Sequence, residues 1–226
     1  MPKDDDIIPP RPSLPFEDEK IDRRVLLSIL ILCCLIELVL QLSDFGLLNS
    51  ERLRRLFYEY GGFWPGLLKG WLPNYQLQPY LMFFTYSFLH SGLLHLVINM
   101  LTLWSLGQAV VFRVGTRGFL LIYVASTFGG AAGFALLNAD PLPMVGASGA
   151  LFGLAGALLA WMYVDRFTRG QGLLPVLQAV LLLIALNLAL WWGMSGQLAW
   201  ETHLSGFIMG WLAATLVDPR PAPPED

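Results

Sequence analysis

Residues 92–137 read GLLHLVINMLTLWSLGQAVVFRVGTRGFLLIYVASTFGGAAGFALL. Two apolar runs, Gly92 to Phe112 and Gly118 to Leu137, flank a short segment that contains Arg113 and Arg117. Each run is close to the ~20 residues that an α-helix needs to cross the hydrocarbon core of a bilayer. The stretch therefore predicts two membrane-spanning helices joined by a short basic connection.

The composition of the whole chain agrees with a membrane protein. Hydrophobic residues make up 55% of the 226 residues and charged residues 14%, which leaves too little polar surface to coat a soluble globule of this size. Four more apolar runs have a similar length: Val25 to Leu42, Ser148 to Val164, Leu173 to Trp192 and Thr202 to Val217. We expect an all-α membrane protein, a six-transmembrane-helix bundle over residues 25–217.

The basic residues predict the orientation. With a cytoplasmic N-terminus, all but four of the 14 lysines and arginines lie inside, and those outside are Arg52, Arg54, Arg55 and Lys69. Both termini are then cytoplasmic, with residues 1–24 as a flexible acidic tail and residues 218–226 as a short tail. The acidic N-terminal segment also argues against a cleaved signal peptide. With a net charge of −3 the chain offers no basic patch for nucleic acid.

Three other features carry weaker information. The long external connection, Leu47 to Pro79, has a short amphipathic helix near residues 51–58 and many aromatic residues, which suits the membrane interface. An ordinary interfacial loop and a functional role both remain open for it. Glu37 in the first span must be protonated or paired, and we favour a structural hydrogen bond. Adjacent Cys33 and Cys34 point to different helix faces, so neither a disulfide nor a metal site is supported.

A serine at the start of the fourth span is a candidate nucleophile. The segment Gly146-Ala147-Ser148-Gly149-Ala150 follows a loop with two prolines and leads into an apolar run. The chain has only three histidines, and each lies at the outer end of an apolar segment: His90, His95 and His203. A histidine close to Ser148 would be able to act as its base.

Counting back from the cytoplasmic ends of the spans indicates which polar residues share a depth. At ~1.5 Å per residue, His95 lies ~27 Å and Asn99 ~21 Å from the first charged residue at the inner end of their helix. On the same count Ser148 lies ~25 Å and His203 ~22 Å from the inner ends of theirs. Four polar side chains from three helices thus occupy one layer below the outer surface, where they should face one interior cavity.

Small residues next to this layer predict a close helix pair. Gly149 and Gly153 are four apart in the fourth span, and Gly206 and Gly210 are four apart in the sixth. Such spacing lets two backbones approach, as a hydrogen bond of ~3 Å between Ser148 and a histidine requires. The same spacing is also common where glycines only pack helices.

His95 and Asn99 are one helical turn apart and so share a face. Both can donate hydrogen bonds, which the oxyanion of a tetrahedral intermediate requires. Ser148 at a helix N-terminus would place free N–H groups and a favourable dipole at the same point. For His90, just before the helix, a hydrogen bond that holds the loop is favoured over a direct chemical role.

These motifs resemble the rhomboid intramembrane serine proteases. The similarity rests on His90-x4-His95-x3-Asn99, Gly146-x-Ser148-Gly149 and His203-x2-Gly206-x3-Gly210 in order on alternate spans. It implies a serine endopeptidase that cuts transmembrane segments of membrane-protein substrates near their extracytoplasmic end, with no metal or cofactor. By this resemblance Ser148 is the nucleophile, His203 the general base, and His95, Asn99 and the Ser148 N–H the oxyanion hole. The compact core favours a bacterial inner membrane.

Two positions depart from the family pattern. Many rhomboids have Trp-Arg in the first loop, where this chain has Leu81 and Met82. Four residues after the serine the family often has a tyrosine that packs against the histidine, and here it is Phe152. The ring is retained and only the hydroxyl is lost, so we expect activity to persist.

Rival interpretations remain at this point. A catalytically inactive relative would share the fold, although such proteins usually lack the serine or the histidine. A small transporter would also bury polar residues, but the cytoplasmic halves of these spans are apolar. By resemblance the fifth span is a candidate lateral gate, with Trp191 and Trp192 near its outer end; composition alone favours interfacial anchors for these tryptophans.

Overall fold

The computed structural model describes residues 23–48, 52–138, 141–193 and 195–217. Its regular structure there is helical, apart from one isolated antiparallel bridge between Phe63 and Met144. Two short 3-10 segments, Pro65–Lys69 and Tyr86–Phe88, accompany the α-helices. The α-helices in the described ranges are α1 (Arg24–Asp44), α2 (Leu53–Gly61), α3 (Gln78–Thr85), α4 (Leu93–Leu137), α5 (Ser148–Thr168), α6 (Leu174–Gly193) and α7 (Trp200–Leu216).

The expected six helices are replaced by seven, for two reasons. The external connection contributes α2, close to the predicted amphipathic helix, and also α3, which was not predicted. The predicted second and third spans lie together in the 45-residue α4. Most of the predicted tails, residues 1–22 and 218–226, lies outside the described residues.

Helix α4 breaks at Gly115. This residue has φ 73° and ψ 177°, a backbone conformation outside the helical region that glycine adopts without steric cost. The Phe119 ring lies 3.5 Å from the place where a β-carbon on Gly107 would be. On a straight helix twelve residues would separate the two positions by ~18 Å. The two halves of α4 therefore fold back on each other.

Four helices in the described part of the chain are long and apolar enough to cross a membrane: α1, α4, α5 and α6. Helix α7 is shorter, with 17 residues. Large apolar side chains are exposed along α1 and α6, among them Leu35 and Leu182. Exposed apolar surface on helices of this length suits contact with lipid.

Helix α5 lies at the centre and packs mainly against α4 and α7. A β-carbon on Gly206 would overlap the carbonyl oxygen of Gly149, and one on Gly210 would overlap that of Gly153. The predicted glycine pairs therefore do bring α5 and α7 into backbone contact. Helix α6, in contrast, is peripheral, and Val176 is its buried residue.

An ion pair fastens the external connection to α1. The Arg54 guanidinium donates to both carboxylate oxygens of Glu37, at 2.8 Å and 3.2 Å, and to Asp44 at 2.7 Å. Burial alone would lower the pKa of Arg54, but these hydrogen bonds raise it above its usual value, so the group stays charged. Glu37, which is 1% exposed, is thus paired, and Gln41 donates a further hydrogen bond to it at 2.9 Å.

Candidate active site

Ser148 is the first residue of α5, as the sequence indicated. The loop before it is fixed by backbone hydrogen bonds: Gly146 N–H donates to the Tyr86 carbonyl at 3.0 Å, and Met144 bridges to Phe63 in the external connection. Gly146 has φ +125°, which a residue with a β-carbon rarely adopts. The first N–H groups of α5 have no acceptor within the helix, so they point away from its N-terminal end beside the serine.

The structure brings Ser148 and His203 together. Ser148 Oγ lies 2.8 Å from His203 Nε2. The His203 side chain is 4% exposed, and its ring stacks on Phe152 with centroids 4.2 Å apart and planes 10° apart. The stack restrains the plane of the imidazole, and the hydrogen bond joins a hydroxyl to a ring nitrogen that can accept its proton.

Asn187 of α6 is a site residue that the sequence reasoning missed. Its Oδ1 lies 2.6 Å from His203 Nδ1, on the opposite side of the ring from Ser148. The sequence did contain a signal for it, because a side-chain amide inside an apolar 20-residue helix costs free energy unless it has a hydrogen-bond partner. The sequence could not say which residue that partner was.

His95 and Asn99 lie one turn apart on α4, and the His95 ring reaches the loop that leads to Ser148. The backbone N–H of Ser91 donates to His95 Nδ1 at 3.3 Å, and since an N–H only donates, a neutral His95 carries its proton on Nε2. A β-carbon on Gly146 would lie 3.0 Å from that Nε2. Asn99 is buried and donates one amide hydrogen to the His95 carbonyl at 2.9 Å. His95 Nε2 thus lies against the loop that leads to Ser148.

His90 is fully buried and holds the loop through its backbone. Its carbonyl oxygen accepts hydrogen bonds from Arg54 at 3.0 Å and from the Tyr58 hydroxyl at 2.8 Å. Neither ring nitrogen has a hydrogen-bond partner among the described residues. Burial, with His95 nearby, lowers the pKa of His90 to about 3, so the ring is neutral.

The remaining predicted residues lie at the edge of the site or away from it. Trp191 is 43% exposed, with its ring against Gly196, and Trp192 is 82% exposed. Met82, at one of the two positions that depart from the family pattern, is completely buried in α3. In the described part of the chain no group of three histidines, cysteines or carboxylates could hold a metal ion.

This arrangement has the parts of an acyl-transfer site. The Ser148 hydroxyl lies beside a ring nitrogen that can take its proton, at a helix start whose first N–H groups have no acceptor within the helix. His95 of α4 lies against the loop that leads to this serine. Residues 78–220, more than half of the chain, match the Rhomboid domain. This chain belongs to the rhomboid family. Membership of this family and the long apolar helices together identify the chain as an integral membrane protein.

Three relatives show the extent of the similarity. This rhomboid is similar to Rhomboid protease GluP of Bacillus subtilis, with 39% identity over 126 residues, 56% of this chain and 24% of GluP. It is 36% identical to RHOMBOID-like protein 1 of Arabidopsis thaliana over 138 residues, 61% of this chain and 34% of the relative. Rhomboid protease GlpG of Salmonella choleraesuis is 32% identical over 141 residues, 60% of this chain and 48% of GlpG. The chain thus spans less than half the length of these relatives.

Proposed function

We propose that this rhomboid is an intramembrane serine endopeptidase that cleaves transmembrane segments of membrane proteins near their extracytoplasmic end. The observation that supports this most is the 2.8 Å distance between Ser148 Oγ and His203 Nε2 at the N-terminus of α5. Two of the similar proteins are named rhomboid proteases. The reaction needs no metal or cofactor, because all of its proton transfers fall to the serine and the histidine.

The chemistry follows from the positions of the two side chains. Ser148 Oγ attacks the peptide carbonyl carbon while His203 Nε2 takes the hydroxyl proton. The oxyanion that forms accepts hydrogen bonds from the Ser148 N–H, His95 Nε2–H and the second amide hydrogen of Asn99. His203 then gives its proton to the leaving amine, and the acyl-enzyme remains. A water molecule, deprotonated by His203, releases the new carboxyl end and restores Ser148.

The proposed topology has six spans over residues 25–217, because the break at Gly115 divides α4 into two. With α1, α5, α6 and α7 these halves make six, and both termini then lie in the cytoplasm of a bacterial cell with the serine near the outer face. Partners are the substrate helix and the lipid bilayer. A substrate helix must reach Ser148 sideways from lipid, and α6 covers one side of the site through Asn187.

Fluorophosphonate labelling tests the proposed activity. We expect the purified wild-type protein to be labelled and to lose cleavage of a transmembrane substrate, while EDTA leaves cleavage unchanged. Ser148→Ala and His203→Ala should each abolish cleavage in a folded protein, because a serine without its base is a weak nucleophile. Ser105→Ala, at an exposed serine of α4, is the control and should behave as wild type. Equal labelling of the Ser148→Ala variant, or its continued cleavage, would refute the proposal.

A further inference from the structure

Asn187 is one of two side-chain amides in α6, and the other, Gln178, is exposed. Asn187 is half-buried and faces the bundle along one stripe of this otherwise peripheral helix. An amide in an apolar span costs free energy unless it is hydrogen-bonded. The partner of its Oδ1 is His203 Nδ1, at 2.6 Å.

This contact determines which nitrogen of His203 carries the proton. A carbonyl oxygen has no hydrogen to donate, so the proton in the hydrogen bond with Asn187 Oδ1 belongs to Nδ1. The other nitrogen, Nε2, of the neutral ring then has a free lone pair directed at Ser148 Oγ, 2.8 Å away. Only this tautomer can accept the serine proton, and the opposite one would present an N–H to the hydroxyl.

We infer that Asn187 is a positioning residue that holds His203 in the base-competent tautomer. Phe152 restrains the plane of the ring and Asn187 its rotation within that plane. This inference rests on the proposed function. Because α6 has few other buried contacts, it can be displaced at a low free-energy cost. Such a displacement would break the hydrogen bond between Asn187 and His203. Movement of this helix and readiness of the base are therefore coupled.

Kinetics of two variants test the positioning role. Asn187→Leu keeps a side chain of similar size but removes the hydrogen-bond acceptor. It should lower kcat by roughly 10-fold to 100-fold and leave KM unchanged. This loss is part of the ~10²–10⁴-fold rate enhancement that a correctly placed general base contributes. Asn187→Asp keeps an oxygen at the same position and should retain most of kcat. Its carboxylate also favours the protonated imidazole, so the acidic limb of the pH–rate profile should move to higher pH. Gln178→Leu is the matched control and should leave both constants unchanged.

Nuclear magnetic resonance provides a readout that does not depend on turnover. In protein labelled with ¹⁵N-histidine, the His203 signals, assigned by their loss in His203→Ala, should show protonated Nδ1 in the wild type and a mixed population in Asn187→Leu. A wild-type His203 protonated on Nε2 would overturn the inference, as would Asn187→Leu with wild-type kcat. Equal loss in the Leu and Asp variants together with a lower melting temperature would reduce Asn187 to a structural residue. A wild type that has the expected tautomer but neither labels nor cleaves would instead refute the proposed function and, with it, any role in catalysis.

Discussion

At the scale of single residues, the side-chain amide of Asn99 has two N–H groups, and one of them donates to the His95 carbonyl within the same helix. That bond fixes the direction of the amide plane. The second N–H is then available for an oxyanion formed at Ser148. In His95 the nitrogen that can donate is Nε2, because Nδ1 accepts a hydrogen bond from Ser91. In the proposed mechanism, the donors to the oxyanion are therefore restrained by their own hydrogen bonds.

Replacing Asn99 by alanine should lower kcat by roughly 10²–10³ if its amide is a main donor to the oxyanion. The loss is smaller if His95 and the Ser148 N–H compensate. Thr102→Ala is the control, since Thr102 makes the same kind of bond to the carbonyl four residues earlier, at 2.8 Å. Steady-state kinetics and thermal unfolding measure both effects. Unchanged kcat and unchanged stability would remove Asn99 from the site.

At the scale of helices, α5 and α7 are closely packed, while α6 has few contacts with the other helices. Gly149 and Gly206 permit backbone contact between α5 and α7, which holds Ser148 and His203 at one distance. Helix α6 touches the rest mainly through a narrow stripe that includes Val176 and Asn187. Trp192, near its outer end, is 82% exposed and gains little from packing inside the chain. A helix with few contacts can move at lower free-energy cost than its neighbours.

Replacing Trp191 and Trp192 by valine tests whether α6 is a lateral gate. If it is, the smaller side chains should speed cleavage of a transmembrane substrate and leave hydrolysis of a small soluble ester nearly unchanged, since only the larger substrate needs the helix to move. Leu181→Ala with Leu182→Ala, at exposed positions of the same helix, is the control. A parallel response of the two substrates, or none, would identify the tryptophans as interfacial anchors.

At the scale of the whole molecule, the external connection is part of the scaffold of the site. Arg54 joins Glu37 and Asp44 of α1 to the carbonyl oxygen of His90, just ahead of α4. Phe63 bridges to Met144, four residues before Ser148. The external connection therefore packs against the segments that precede α4 and α5. The Arg54 side chain is 21% exposed and that of Glu37 1%, so their attraction is only weakly screened.

Arg54→Met should destabilise the protein by roughly 3–5 kcal/mol, because it leaves the Glu37 carboxylate buried without an opposite charge. A lower thermal unfolding midpoint in detergent is the expected measurement. Arg55→Met should have little effect, since Arg55 is 75% exposed and its contact with Glu59 is long, at 4.0 Å. Adding Glu37→Leu to Arg54→Met should recover part of the loss. If Arg54→Met and Arg55→Met have equal unfolding midpoints, the ion pair between Arg54 and Glu37 contributes nothing to stability.

Much of the fold and of the candidate site was predictable from local sequence. Every apolar run predicted as a span lies in a helix to within one residue at its ends, because the bilayer requires ~20 apolar residues whatever the tertiary contacts are. Counting residues from helix ends placed Ser148 and His203 at one depth, since helix rise is constant. Glycine spacing indicated the close approach of α5 and α7. These properties depend on residues within a few turns of one another.

Only the tertiary structure decided which polar groups meet across helices. The sequence indicated that Glu37 and Asn187 each need a polar partner. That these partners are Arg54 and His203 depends on how α1, α2, α6 and α7 are rotated and placed. The break at Gly115 likewise turned two apolar runs into one folded-back helix. Hydropathy and spacing carry no information on helix rotation, because packing between residues distant in sequence determines it. For this chain the sequence alone determined the long apolar segments, the candidate nucleophile and the candidate base, while tertiary packing decided what holds the base in place.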